Sequence, residues 1–212
     1  MPSPFTGYML APFDNLADGL RGLTGIMVDL YRQPDKVLEA CDAMIPHIVN
    51  TALAFADPLR RYPIFMPLHR GNFPFLSPEQ FDTFYWPWLR KGMLALIDQG
   101  IIPMVYCEAD VESRLESFAD VPKGKVIYHV AQTDLVKAKA VLGDTACIMG
   151  NVPNIIMQTG TPDDVKEYCK WAIDVAGKDG GYIMDTAVML DEAKPENLKA
   201  MIEFTKEYGV YR

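Results

Sequence analysis

Residues 125–149 read KVIYHVAQTDLVKAKAVLGDTACIM, and this stretch decides the fold of the chain. A short apolar run, Lys125–Val130, is followed by the helix-start residues Thr133 and Asp134. An amphipathic segment then runs to Leu142, a glycine ends it, and a second apolar run covers Ala146–Met149. A strand, a helix and a strand in this order imply parallel strands joined by a right-handed crossover.

The same alternation extends in both directions and gives five βα units. A Pro/Gly-punctuated lead-in with short helices near 14–21 and 24–31 covers residues 1–34, and the α/β domain covers 35–212. Periodicity does not distinguish a doubly wound sheet from a (β/α) barrel, although the absence of a GxGxxG or Walker loop weakens a nucleotide-binding version. The predicted strands are 63–66, 101–107, 125–130, 146–149 and 182–184, and the predicted main helices are 35–56, 77–99, 111–118, 134–142, 161–176 and 194–208.

Composition excludes several classes of protein. The chain has 212 residues, 50% of them hydrophobic and 23% charged, which suits one globular domain. The net charge of −8 argues against a nucleic-acid binder and against a polybasic membrane patch. No apolar run reaches the ~20 residues that span a bilayer. No signal peptide is recognisable, and four cysteines without a CxxC pair favour a reduced, cytoplasmic protein.

The active site of a parallel sheet lies at the carboxyl ends of its strands. His69, Glu108 and His129 follow or end three consecutive strands, so we expect them to converge. Two histidines and one carboxylate suit a catalytic zinc with an open fourth position, and Glu108 with His129 could instead act as an acid/base pair without metal. The other polar residues at predicted strand ends are Tyr106, Asp110, Gln132, Asn151 and Asp185.

Several motifs resemble the C-terminal part of the uroporphyrinogen decarboxylase superfamily, closest to its corrinoid-dependent methyltransferase and O-demethylase branch. They are LSPEQFDTFYWPWLRKG, DLVKAKAVLGDTACIMGNVP, GTPDDVKEYCK and AKPENLKAMIEFTKEYG. The resemblance covers about residues 11–211. It implies a TIM-type (β/α)8 barrel, of which this chain carries about five βα units and lacks the N-terminal part. A partial barrel leaves open edges, so we expect the lead-in, a second copy or another chain to complete it.

The resemblance also implies a zinc site and a partner. Thiol-methylating relatives hold zinc with a His-x-Cys pair, which falls here on Tyr106 and Glu108, and with a later Cys that falls near Val188. The O-demethylase relatives resemble a Glu, Glu, His pattern, whose Glu-x20-His portion is matched by Glu108 and His129. The first Glu of that pattern falls on Met93, which cannot replace it as a zinc ligand, so His69 would be the substitute. The methyl group would pass to the cobalt of a corrinoid carried by a separate protein.

Three functions follow as hypotheses. The first is a methyltransferase, or part of one, that moves a methyl group between a small methylated compound and a corrinoid protein. In it, Glu108 and His129 would be catalytic, and the substrate would contact Tyr106, Asp110, Gln132, Asn151 and Asp185. The second is a non-catalytic partial barrel that serves binding or assembly. The third is a porphyrinogen decarboxylase-like activity completed by a partner chain.

Overall fold

A computed structural model describes residues 5–210 of the chain. Its centre is a parallel five-stranded sheet in the order β1-β2-β3-β4-β5, with helices connecting the strands. The five predicted strands are therefore confirmed, with ends that differ from the prediction by at most two residues. The strands are β1 (Ile64–Leu68), β2 (Pro103–Cys107), β3 (Ile127–Val130), β4 (Cys147–Met149) and β5 (Tyr182–Ile183).

The two faces of the sheet have different environments. One face is covered by helices and is buried; it carries Met66, Val105, Tyr128, Val130 and Ile148. The opposite, inner face is partly exposed and carries Phe65, Tyr106, Ile127, Met149 and Ile183. A doubly wound sheet reverses its strand order and has helices on both faces, whereas sequential order with one open face is typical of a curved barrel wall.

Local capping explains where the helices begin. The Gln80 amide donates to the Ser77 hydroxyl over 3.1 Å, and the Ser77 amide donates to the Gln80 side chain over 3.0 Å. Thr161 and Asp164 form the same reciprocal cap. The predicted helix 77–99 is divided at Tyr85, because Pro87 has no N–H to donate.

The helical segments have the following bounds. They are α1 (Pro12–Asp14, continued by a π-helical segment, Asn15–Leu20), α2 (Leu23–Arg32), α3 (Pro34–Ala54), α4 (Pro78–Phe84), α5 (Trp86–Asp98), α6 (Leu115–Phe118, after a 3-10 turn, Glu112–Arg114), α7 (Leu135–Leu142), α8 (Asn154–Thr159), α9 (Pro162–Ala172, continued by a π-helical segment, Ile173–Gly177) and α10 (Pro195–Tyr208). Helix α8 is absent from the sequence prediction. No helix among residues 5–210 is long and apolar enough to cross a membrane.

The first residues of the described chain cover one edge of the sheet. The Thr6 amide donates to the Pro63 carbonyl and the Met9 amide to the Phe65 carbonyl, both over 2.9 Å. Tyr8 forms a parallel bridge with Phe65, so this segment pairs with the free edge of β1. Residues of the lead-in such as Phe13 belong to the same hydrophobic core as the sheet. Residues 1–4 of the predicted lead-in and 211–212 of the predicted domain lie outside the described part.

Candidate functional site

His129 lies on the inner face of β3 and is fully buried. Its Nε2 lies 2.9 Å from the Thr186 carbonyl oxygen and 3.8 Å from Oδ2 of Asp185. Because a carbonyl oxygen only accepts, Nε2 carries the proton. Burial lowers the pKa of His129, although the Thr186 carbonyl and the charge of Asp185 oppose the effect. His129 is therefore a neutral, fixed imidazole.

Tyr106 stacks on His129 and lies near the carboxylates of Asp185 and Glu108. The two rings stack with centroids 4.1 Å apart, because the strand register places Tyr106 beside His129. Burial, followed by the charges of Asp185 and Glu108, raises the pKa of Tyr106 to about 12. The phenol is thus neutral and lies within the electrostatic influence of both carboxylates.

Glu108 contacts His69 rather than His129. Leu68 and Cys107 are register partners in β1 and β2, so the residues that follow them lie side by side. His69 Nε2 is 3.9 Å from Oε1 of Glu108, and both side chains are partly exposed. The register also places Glu108 two residues beyond the level of His129, about 6–7 Å further along the strand direction. Glu108 and His129, which were predicted to act as one acid/base pair, therefore belong to two separate pairs. Glu108 lies beside His69, and His129 lies beside Asp185.

Two acidic residues of the lead-in hold the loop after β1. Asp18 Oδ2 lies 2.6 Å from Nδ1 of His69, and its Oδ1 accepts from Arg70 over 2.8 Å. Burial raises the pKa of Asp18, but the hydrogen bonds from His69 and Arg70 outweigh it and leave the pKa below its ordinary value. Buried Asp14 accepts hydrogen bonds from the backbone amides of His69 and Arg70 and from the Tyr85 hydroxyl. The β1 end of the site is thus rigidly supported.

The three predicted zinc ligands do not fit a zinc ion in this arrangement. Nε2 of His129 is engaged with a carbonyl oxygen, while His69 and Glu108 supply only two ligands. Within residues 5–210, no group of three or more His, Cys, Asp or Glu side chains is placed to hold a metal ion. Zinc binding stays a prediction from the sequence.

The predicted substrate residues fall into two regions. Tyr106 and Asp185 lie with the catalytic candidates, whereas Gln132 and Asn151 line a separate pocket of about 310 Å³ beside Tyr168 and Trp171. Asn151 is held there by the Thr133 carbonyl and the Tyr168 hydroxyl. Asp110 accepts from the Thr133 hydroxyl and the Glu112 amide, so it stabilises a loop. Their substrate contacts remain untested predictions.

Sequence reasoning missed Asp14 and Asp18. These residues are four positions apart in a short helical stretch, which places them on one face, but their partners His69 and Arg70 are more than fifty positions away. The local signal is that Asp14 and Asp18 are the charged side chains of residues 5–20, a stretch that is otherwise uncharged. Among residues 5–210, no Arg or Lys forms an ion pair with buried Asp14, and hydrogen bonds take that place.

The sheet and its strand-end site define a (β/α)-barrel protein whose barrel is only partly present. A methyltransferase from Methanosarcina mazei has a similar structure, with a TM-score of 0.78 and 20% sequence identity. The match covers 96% of this chain and 58% of that one. The predicted fold class, a partial TIM-type barrel, is confirmed.

The chain belongs to the uroporphyrinogen decarboxylase (URO-D) family, whose sequence profile matches residues 2–208. Uroporphyrinogen decarboxylase from Chlorobium phaeovibrioides is 27% identical over 137 residues, which cover 62% of this chain and 38% of the relative. The enzyme from Chlorobaculum tepidum is 23% identical over 198 residues, covering 89% of this chain and 54% of the relative. This chain therefore spans about half, or less, of the curated relatives it matches.

Proposed function

We propose that this chain forms part of a methyltransferase that takes a methyl group from a small methylated compound, such as a methoxylated aromatic, and passes it to a corrinoid carried by a separate protein. The observation that carries the proposal is the strip of Glu108, Tyr106, His129 and Asp185 at the strand ends of a mostly apolar inner face. The structural likeness to a methyltransferase supports the same class of reaction.

The inner face suits a small ring with few charges. Phe65 lies beside Tyr106 with ring centroids 5.5 Å apart, and Tyr106 stacks on His129. These rings provide an aromatic floor, and polar groups at one end can orient a hydroxyl or methoxy oxygen. Glu108 is the most accessible of the polar groups, with 45% of its side chain exposed.

A porphyrinogen decarboxylase-like activity is the alternative that the curated relatives favour. A porphyrinogen substrate of these enzymes carries several carboxylates, which need basic partners. Within the described part of the chain, neither Glu108 nor Asp185 has a Lys or Arg ion pair, and Arg70 is engaged by Asp18. The site is therefore acidic, and a partner chain would have to supply the basic groups.

The open inner face also supports a partner that completes the barrel. Partly exposed apolar side chains such as Ile127, Met149 and Ile183 need cover, and β5 leaves a strand edge. A second copy or a different chain could supply it. In the second hypothesis, the protein is only such a binding or assembly module. Light scattering that finds a compact 23.8-kDa monomer with cooperative unfolding would count against that hypothesis.

Ligand binding separates the three functions. We expect 2-methoxyphenol to raise the melting temperature (Tm) of the protein, and at ten times its Kd the stabilisation is about 1.4 kcal/mol, or about 3–6 °C. Uroporphyrinogen should leave Tm unchanged. The shift should disappear in Glu108→Gln but persist in Glu116→Gln, a matched change at an exposed helix position.

Methyl transfer is then measured with 2-methoxyphenol and free cob(I)alamin, by the formation of catechol. Catechol formation that depends on Glu108 is the expected result. A Tm shift with uroporphyrinogen alone would favour the decarboxylase alternative. The absence of any ligand response and of catechol would leave the assembly module as the better account.

A further inference from the structure

We infer that Asp18 and His69 form a proton-transfer dyad, in which His69 gives a proton to the oxygen atom that leaves when the methyl group is removed. The inference rests on the proposed function for its substrate, but the dyad itself rests on the contacts of Asp18, His69 and Glu108. A histidine oriented by a carboxylate, with its second nitrogen facing the site, is a common general acid or base.

The geometry fixes the direction of the dyad. Asp18 is partly buried and is paired with Arg70, so its carboxylate accepts the Nδ1–H of His69 over 2.6 Å. Arg70 holds the other oxygen of Asp18 over 2.8 Å, which fixes the orientation of the carboxylate. The backbone of His69 is anchored by Asp14 over 3.1 Å. Both the ring and its partner are therefore positioned before any substrate arrives.

The second nitrogen of His69 remains available. Its ion-pair neighbour is Oε1 of Glu108 at 3.9 Å, beyond hydrogen-bond distance. His69 has 29% of its side chain exposed and Glu108 45%, so the space between them opens to solvent. The hydroxyl of Tyr8 lies within the electrostatic influence of Asp14, Asp18 and Glu108. A substrate oxygen placed in this gap can contact Nε2 and the Glu108 carboxylate together.

Removal of the methyl group leaves an electron pair on the substrate oxygen, and this oxygen needs a proton. A corrinoid carried by the partner protein would supply the nucleophile that takes the methyl carbon, and the bond between this carbon and the substrate oxygen would break. The electron pair of the broken bond stays on oxygen, and this oxygen takes the Nε2 proton of the doubly protonated His69 ring, which leaves the neutral Nδ1–H imidazole. The substrate leaves as a neutral phenol, and His69 keeps its Nδ1–H, donated to Asp18, throughout. Solvent then returns a proton to Nε2.

The tautomer of His69 tests the dyad without any activity. The chain has three histidines, so ¹⁵N-labelled imidazole spectra of the intact protein can be assigned by substitution. Neutral His69 should carry its proton on Nδ1, whereas His129 should carry it on Nε2. Asp18→Asn should shift His69 towards the Nε2–H form, and exposed His47 provides the control. A neutral His69 that is Nε2–H in the unmodified protein would overturn the dyad.

The second arm tests contact with the leaving group. Phenol, the simplest leaving group of the proposed class, should shift the Nε2 resonance of His69 and leave His47 unchanged. Where catechol forms from 2-methoxyphenol, His69→Gln should reduce the rate about 100-fold or more, with a much smaller loss for 4-nitroanisole, whose phenol leaves readily. His47→Gln should have no effect. The role of His69 is refuted if phenol leaves its resonance unchanged, or if His69→Gln reduces the rate equally for both ethers. If phenol shifts the resonance but no methyl transfer occurs, only the proposed function is refuted.

Discussion

The carboxyl group of Asp14 should make the stability of the protein depend on pH. Its side chain is fully buried beneath the loop that carries His69. Burial raises the pKa of Asp14 to about 6, while the hydrogen bonds from Tyr85 and from the backbone amides of His69 and Arg70 reduce the rise. The folded protein therefore prefers the protonated carboxyl more strongly than the unfolded chain does.

The magnitude follows from the two pKa values. A rise from 3.8 to about 6 corresponds to about 3 kcal/mol, since one pKa unit is worth about 1.4 kcal/mol. Because the folded pKa is the higher one, this contribution is fully present below the unfolded value of 3.8. It is lost as the pH rises through about 6. Asp14 thus lowers the free energy of unfolding at neutral pH relative to acid.

Urea denaturation followed by tryptophan fluorescence between pH 4 and 7.5 measures the effect. Asp14→Asn cannot ionise, so the free energy of unfolding of the unmodified protein should fall relative to this variant by about 2.4 kcal/mol over that range. Asp144→Asn, an exposed change of the same kind, should follow the unmodified protein. Tyr85→Phe removes a hydrogen bond to the carboxylate and should move the loss to higher pH. Parallel curves for Asp14→Asn and the unmodified protein would refute the reasoning.

Three further changes test the packing around the site. Arg114→Ala should lower the free energy of unfolding by about 3 kcal/mol in urea, because the buried guanidinium donates to the Leu76 carbonyl and lies 4.6 Å from the centre of the Phe81 ring. Ser77→Ala removes a capping box and should cost about 1 kcal/mol, whereas exposed Ser113→Ala should cost little. Asn197→Ala should cost about 2 kcal/mol and increase amide exchange in α8, since this side-chain amide lies within hydrogen-bond distance of the Ile156 and Met157 carbonyls in α8 and of the Gly160 carbonyl that follows it. Unchanged exchange would contradict that account.

Local patterns in the sequence predicted most of the helices and strands. Helix starts such as Ser77-Pro78 and Thr161-Pro162 were recognisable because a cap depends on residues within one turn. Helix α8 was not recognisable, since its six residues are too few for a periodic signal. Periodicity did not distinguish a barrel from a doubly wound sheet; the family resemblance implied the barrel, and the strand order and the open inner face of the structure support it.

The sequence by itself determined an alternating parallel α/β chain, its place in a family, and which polar side chains stand at the strand ends. Tertiary structure decided which of them meet: Glu108 with His69, Asp185 with His129, and Asp18 with His69 across fifty-one positions. The reason is physical. Alternation and capping are fixed by neighbouring residues, whereas these pairs depend on strand register and on the packing of the lead-in against β1.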